Sequence, residues 1–157
     1  MPVPSIIVMS DAERGAANSG NRTSGESGIE GDEESLMAGK NLVVIATHGD
    51  EDPERATIPF VMANAALASE TGASVILQAS GVNLAVKRYT KHVRAETFPP
   101  LTDLIKSFFE MGGKLMVCAP CIKTRNITED ELIEGAKVVA AGSVVVATTE
   151  ADATLTY

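Results

Sequence analysis

Residues 114–127 read KLMVCAPCIKTRNI, an apolar run that leads directly into two cysteines, Cys118 and Cys121. The first four residues predict a strand, so Cys118 stands where that strand ends. Ligand sites in open parallel sheets form outside the carboxyl ends of the strands. A thiol that faces the start of a following helix, with Lys123 and Arg125 nearby, has its thiolate favoured by positive charge. The stretch therefore predicts a nucleophilic cysteine at the edge of a sheet.

The same grammar of compact apolar runs and amphipathic stretches extends over residues 41–157 and is typical of a β/α protein with a mostly parallel sheet. The predicted strands are Leu42–Ala46, Ser74–Ala79, Lys114–Val117, Val138–Ala140 and Thr154–Tyr157. Helices are predicted over residues 53–69, 101–111 and 128–135, the last one opened by a capping box. Residues 143–147 have strand propensity, yet the order of elements favours a helix there. We therefore expect a single α/β domain, a five-stranded sheet with helices on both faces.

Residues 1–39 differ in character from the rest of the chain. They contain the small polar run Gly15–Gly20 and the acidic run Glu30–Glu34. Such a segment cannot bury enough apolar area to offset the entropy cost of ordering it. We predict a flexible, acidic, Gly/Ser-containing extension at 1–39 and a folded domain at 40–157.

The overall composition excludes several functional classes. The chain has 157 residues, a formal net charge of -8 and a pI near 4.7. This field repels a phosphate backbone, so nucleic acid is not expected as a partner. No run approaches the roughly 18 to 20 apolar residues that span a bilayer, and no secretory pattern opens the chain. A membrane is therefore not expected as a partner, and the cytoplasm is the expected location.

Three other interpretations of the cysteine pair stay open from the residues alone. Free cysteines are among the most buried residues, so the pair could be two small core residues. Cys118 and Cys121 with His48 and His92 are all the Cys and His of the chain and could bind zinc, although no finger spacing is present. Cys-Ala-Pro-Cys also resembles the thioredoxin active-site tetrapeptide. Only 36 residues follow Cys121, which leaves little room for a thioredoxin fold.

The cysteine stretch, its strand and the acidic capping box after it resemble the DsrE/DsrF-like family, which includes the TusD branch of sulfur-relay proteins. The resemblance covers about 41–157 and includes Thr47-His48-Gly49 after the first strand and the closing residues 151–157. It implies a five-stranded, mainly parallel sheet and assembly into homotrimers or homohexamers. Where the family commonly has glycine after the arginine, this chain has Asn126, the next best residue for a left-handed backbone.

The resemblance implies that Cys118 carries sulfur as a persulfide, which makes the protein a sulfurtransferase or a persulfide carrier and leaves its status as an enzyme open. Cys121 could resolve the persulfide by forming a disulfide. Lys123 and Arg125 are candidates for substrate binding, and His48 could stabilise the thiolate or be a solvated loop residue. The expected partners are the donor and acceptor thiols of other sulfur-transfer proteins. No cofactor and no metal are expected.

Overall fold

The computed structural model describes residues 39–157, so the predicted extension lies outside the described residues apart from Gly39. The strands are β1 (Asn41–Ala46), β2 (Gly72–Leu77), β3 (Lys114–Cys118), β4 (Ala136–Val139) and β5 (Ala153–Thr156). The helices are α1 (Pro53–Ala68), α2 (Leu101–Glu110), α3 (Ala119–Thr124) and α4 (Ala141–Thr149), and 3-10 turns cover Ala79–Ala85, Tyr89–His92 and Glu129–Glu131. Within this described part, no helix is long and apolar enough to cross a membrane.

All five strands are parallel and lie in the order β4-β3-β2-β1-β5. The predicted α/β fold with a five-stranded sheet is therefore confirmed. Ala46 at the end of β1 pairs with Leu77 of β2, which in turn pairs with Val117 of β3. The loops that leave these three strands consequently emerge side by side along one edge of the sheet. Cys118 lies at that edge, beside Val139 of β4.

The main core lies between the sheet and the helices α1 and α2. Phe60 and Phe108 are fully buried, with ring centroids 5.8 Å apart in an edge-to-face arrangement. They pack in one cluster with alternate residues of the central strands, among them Val44, Val75 and Leu115. This alternation leaves the other residues of each strand, such as Val43 and Ile76, on the opposite face.

The helix α4 belongs to that opposite face. The connection from β4 to β5 runs back across the sheet, against the direction of the earlier connections. Because parallel crossovers are right-handed, it places its helix on the other side from α1 and α2. None of the residues of α4 is buried, and Val145 and Val146 are 59% and 52% exposed. The second face of the sheet is thus thinly covered, with apolar side chains open to solvent.

One predicted helix is wrong. Over residues 128–135 the capping box is present, but only the 3-10 turn Glu129–Glu131 follows it. The reason is tertiary: Leu132 is extended and buried, and the backbone N–H of Ile133 donates to the carbonyl of Ala85 at 2.8 Å. The helix predicted near residues 143–147, by contrast, is confirmed as α4.

Candidate functional site

Cys118 and Cys121 meet at the junction of β3 and α3. Cys118 is the last residue of β3 and the N-cap of α3, and Cys121 is the third residue of the helix. Pro120 stands in the first turn, where its missing N–H costs no helical hydrogen bond. Both thiols are free and half-buried, and their side chains lie in hydrogen-bonding contact. The two sulfur atoms are therefore neighbours in the reduced protein.

The pKa of the Cys118 thiol is raised above its ordinary value, mainly by burial and then by the side chain of Cys121. The backbone N–H of Cys121 and the charge of Arg125 act in the opposite direction and are outweighed. The sequence predicts a favoured thiolate, and here the structure differs. The cations are visible in the sequence, whereas the burial of the strand end is not.

The two predicted cations lie at and just beyond the end of α3. The guanidinium of Arg125 donates to the backbone carbonyl of Cys121 at 3.2 Å, which holds this charge beside the cysteine pair. Lys123 is exposed, and its ammonium makes no hydrogen bond or ion pair within residues 39–157. Asn126 has a φ of +54°, which is the left-handed backbone expected at this position. The structure thus places Arg125 at the cysteines and leaves Lys123 facing solvent.

His48 lies on the same edge of the sheet but outside the cysteine cluster. Its Nδ1 atom is 3.0 Å from the hydroxyl of Thr47, and that hydroxyl donates to the carbonyl of Tyr157 at 2.6 Å. Because β2 separates β1 from β3, the loop of His48 is about 10 Å from Cys118 across the sheet. No hydrogen bond among the described residues joins His48 to either cysteine.

A second polar cluster, which sequence reasoning missed, ties the loop after β1 to the segment after β2. The hydroxyl of Ser80 and the backbone N–H of Gly49 both donate to the carboxylate of Glu51. Burial alone would raise the pKa of Glu51, but these hydrogen bonds outweigh it and lower the pKa. The hydroxyl of Tyr89 donates to Asp50, and burial together with this bond raises the pKa of Tyr89. These bonds fix the loop that carries His48.

Two other features bear on ligand binding. Across residues 39–157, which include both histidines and both cysteines, no three Cys, His, Asp or Glu side chains come together as a metal site. A cavity of about 600 Å³ lies between the second 3-10 turn and the start of α2, with Lys91 and Arg94 among its lining residues. Neither cysteine lines it. The cysteine pair, by its chemistry, is the better candidate site.

Comparison with known proteins identifies relatives for the folded part. The model of the DsrE/DsrF-like family matches residues 40–157. Two uncharacterised proteins of Methanocaldococcus jannaschii are similar in sequence. MJ0989 is 31% identical over 116 residues, 74% of this chain and 98% of that protein. MJ0760 is 33% identical over 100 residues, 64% of this chain, and the match spans only 36% of the length of that protein.

Solved structures share the fold. The ychN protein of E. coli superposes with a TM-score of 0.65 at 17% identity, over 75% of this chain and 99% of that one. MTH1491 of Methanobacterium thermoautotrophicum, titled as a protein of unknown function, gives a TM-score of 0.59 at 18% identity, over the same shares of the two chains. At these identities the likeness concerns the fold alone.

Proposed function

The chain belongs to the DsrE/DsrF-like family, and from that premise we propose that it is a sulfur-handling protein that carries sulfane sulfur as a persulfide on Cys118. The observation that supports the proposal best is the position of Cys118. It ends β3 at the ligand-binding edge of the sheet, beside a second thiol and within the field of Arg125. A working place in the cytoplasm is part of the proposal, because reducing compartments keep such thiols free.

The proposed reaction is thiol–persulfide exchange. The Cys118 thiolate attacks the terminal sulfur of a donor persulfide, a new S–S bond forms, and the donor leaves as a thiolate. An acceptor thiolate then takes the same sulfur from Cys118. Only the thiolate attacks, so the raised pKa of Cys118 makes loading slow at neutral pH and faster as the pH rises.

The predicted substrate-binding residues have unequal parts in this proposal. Arg125 is held beside the cysteines and favours the anionic persulfide by its charge. Lys123 is exposed at the same helix and suits the acidic surface of a donor or acceptor protein. His48 is one strand further along the edge and touches only a substrate that extends past β2. The partners in this account are other sulfur-transfer proteins that present a thiol or a persulfide.

A CxxC thiol–disulfide oxidoreductase is the second candidate function. The contact between the two free thiols favours it, because an oxidoreductase must close a disulfide between them. The two functions differ in the species that forms on Cys118. A carrier holds one extra sulfur atom there, whereas an oxidoreductase forms a mixed disulfide with its substrate.

Loading with sulfur tests the proposed function directly. The Cys121→Ser protein is treated with a low-molecular-weight persulfide, freed of donor, and assayed for sulfane sulfur by cyanolysis. We expect about one sulfane sulfur per chain, and none in the matched protein that also carries Cys118→Ser. Delivery of the bound sulfur to an added thiol completes the test. No sulfane sulfur on Cys121→Ser, with a readily formed disulfide in the unsubstituted protein, would transfer the proposal to the oxidoreductase.

We also propose that the chain assembles into a homotrimer or homohexamer through the face that carries α4. This helix has no buried residue, and Val145 and Val146 remain more than half exposed. Burial of such side chains stabilises an assembly by about 25 cal/mol per Å². Light scattering should show Val145→Glu in a smaller assembly than the unsubstituted protein. Met62→Glu is the matched control, since Met62 is an exposed apolar residue on α1, and it should leave the assembly unchanged.

A further inference from the structure

We propose that Cys121 expels the sulfur bound to Cys118 as hydrosulfide, closing a disulfide between the two cysteines whenever no acceptor thiol takes the sulfur first. This inference rests on the proposed function, because it concerns the fate of a persulfide on Cys118. It adds a second activity to the site, the reduction of sulfane sulfur to sulfide at the expense of two thiols.

The first support is the spacing that the secondary structure imposes. Cys118 is the N-cap of α3 and Cys121 is the third residue of that helix. Helical residues three positions apart have Cα atoms about 5 Å apart, from a rise of about 1.5 Å per residue on a cylinder of about 2.3 Å radius. Disulfides need Cα atoms about 4.4 to 6.8 Å apart. The pair can therefore be bridged without unfolding α3.

The second support is the sulfur that Cys121 touches. Its side chain lies in hydrogen-bonding contact with the Cys118 thiol, which becomes the inner sulfur of the persulfide after loading. The outer sulfur is one S–S bond further away. Attack on the outer sulfur would only move the persulfide to Cys121, whereas attack on the inner sulfur breaks the S–S bond. Contact with the inner sulfur favours the second course.

The step balances in atoms and electrons. The Cys121 thiolate forms a bond to the inner sulfur, and the bond between inner and outer sulfur breaks. The outer sulfur leaves with the electron pair as hydrosulfide, so it is reduced by two electrons while the two cysteines are oxidised to a disulfide. A second turnover requires an external dithiol to reduce that disulfide. The first turnover requires nothing beyond the loaded protein.

The surroundings permit this step without rearrangement of the fold. Both cysteines are half-buried, so hydrosulfide has a path to solvent. Arg125 donates to the carbonyl of Cys121 and places a positive charge next to the departing anion. The protein would thus deliver sulfur to a docked acceptor that reacts faster than Cys121, and release sulfide when no acceptor is present.

A single-turnover experiment on the full chain tests this inference. The reduced protein receives a limiting amount of a low-molecular-weight persulfide without any acceptor. Hydrosulfide is trapped with a fluorogenic alkylating reagent, and the state of Cys118 and Cys121 is read by mass after alkylation of free thiols. We expect one hydrosulfide and one internal disulfide for each sulfur delivered. With Cys121→Ser or Cys121→Ala, release should fall at least tenfold while sulfur stays on Cys118.

The variants separate the failure of this inference from the failure of the proposed function. A persistent persulfide in the unsubstituted protein, with no hydrosulfide, overturns the inference and leaves the carrier intact. A mixed disulfide between donor and Cys118 in Cys121→Ser overturns both, since hydrosulfide would then come from the donor directly. Cys118→Ser should neither load nor release sulfur, and release from that variant would also overturn the inference.

Discussion

Replacing Gly81 with alanine places a methyl group against the backbone where β1 ends. A Cβ atom at this position would lie 2.3 Å from the carbonyl oxygen of Ala46 and 2.9 Å from its carbonyl carbon. Two hydrogen bonds join the segments here, from Gly81 N–H to the carbonyl of Thr47 at 3.1 Å and from Gln78 N–H to that of Ala46 at 2.9 Å. The loops that follow β1 and β2 at the candidate edge are held together at this crossing.

The expected cost follows from these contacts. Ordinary contact begins near 3.4 Å, so the two backbone segments must separate by about 1 Å. Separation weakens both hydrogen bonds, at about 1 kcal/mol each, and overpacking adds about 1 to 3 kcal/mol. The reduced freedom of the unfolded chain returns about 0.4 to 1 kcal/mol. We therefore expect Gly81→Ala to lower the free energy of unfolding by about 2 to 4 kcal/mol.

Urea unfolding followed by far-UV circular dichroism measures this difference. Gly112→Ala is the matched control: a Cβ atom there meets nothing within 4 Å, but the φ of +85° strains an alanine. It should cost about 1 kcal/mol, from backbone strain alone. The reasoning fails if Gly81→Ala proves no more destabilising than this control, because the clash with β1 would then be absent.

Three further predictions concern the site and the core. The rate of Cys118 alkylation should rise with pH beyond the range of an ordinary thiol, and Arg125→Gln should shift the profile to still higher pH, since the charge of Arg125 favours the thiolate; a profile unchanged in Arg125→Gln would contradict this. Asn126→Gly should match or exceed the parent in stability, and Asn126→Ala should lose about 1 kcal/mol in urea unfolding, because a φ of +54° suits glycine and asparagine. Phe108→Ala should cost about 3 to 5 kcal/mol in the same assay, because Phe108 is fully buried; a loss below about 1 kcal/mol would contradict its place in the core.

The fold could be predicted because parallel strands covered on both faces leave continuous apolar runs in the sequence. The order of elements also settled α4 (Ala141–Thr149), whose run of valines favours a strand by propensity alone. The capping box at Thr128 misled, because it marks the start of a turn whatever follows. Whether the chain then continues as a helix was decided by the pairing of Ile133 with Ala85, a contact distant in sequence.

The candidate site was only partly readable. The spacing of Cys118 and Cys121 and the arginine after them indicated a cluster, and the structure brings these residues together. The direction of the Cys118 pKa depends on burial of the strand end, which is a property of the folded chain. The bond from Ser80 to Glu51 joins two loops about 30 residues apart, and no local pattern selects that partner.

The central claim is that sulfur resides on Cys118, and tandem mass spectrometry of the loaded protein tests it most directly. The Cys121→Ser protein is exposed to a low-molecular-weight persulfide, alkylated and digested, and the peptide that spans β3 and α3 is sequenced. The account predicts one additional sulfur atom, located on Cys118. Sulfur missing from that peptide, or a donor thiol in mixed disulfide on Cys118, would contradict it.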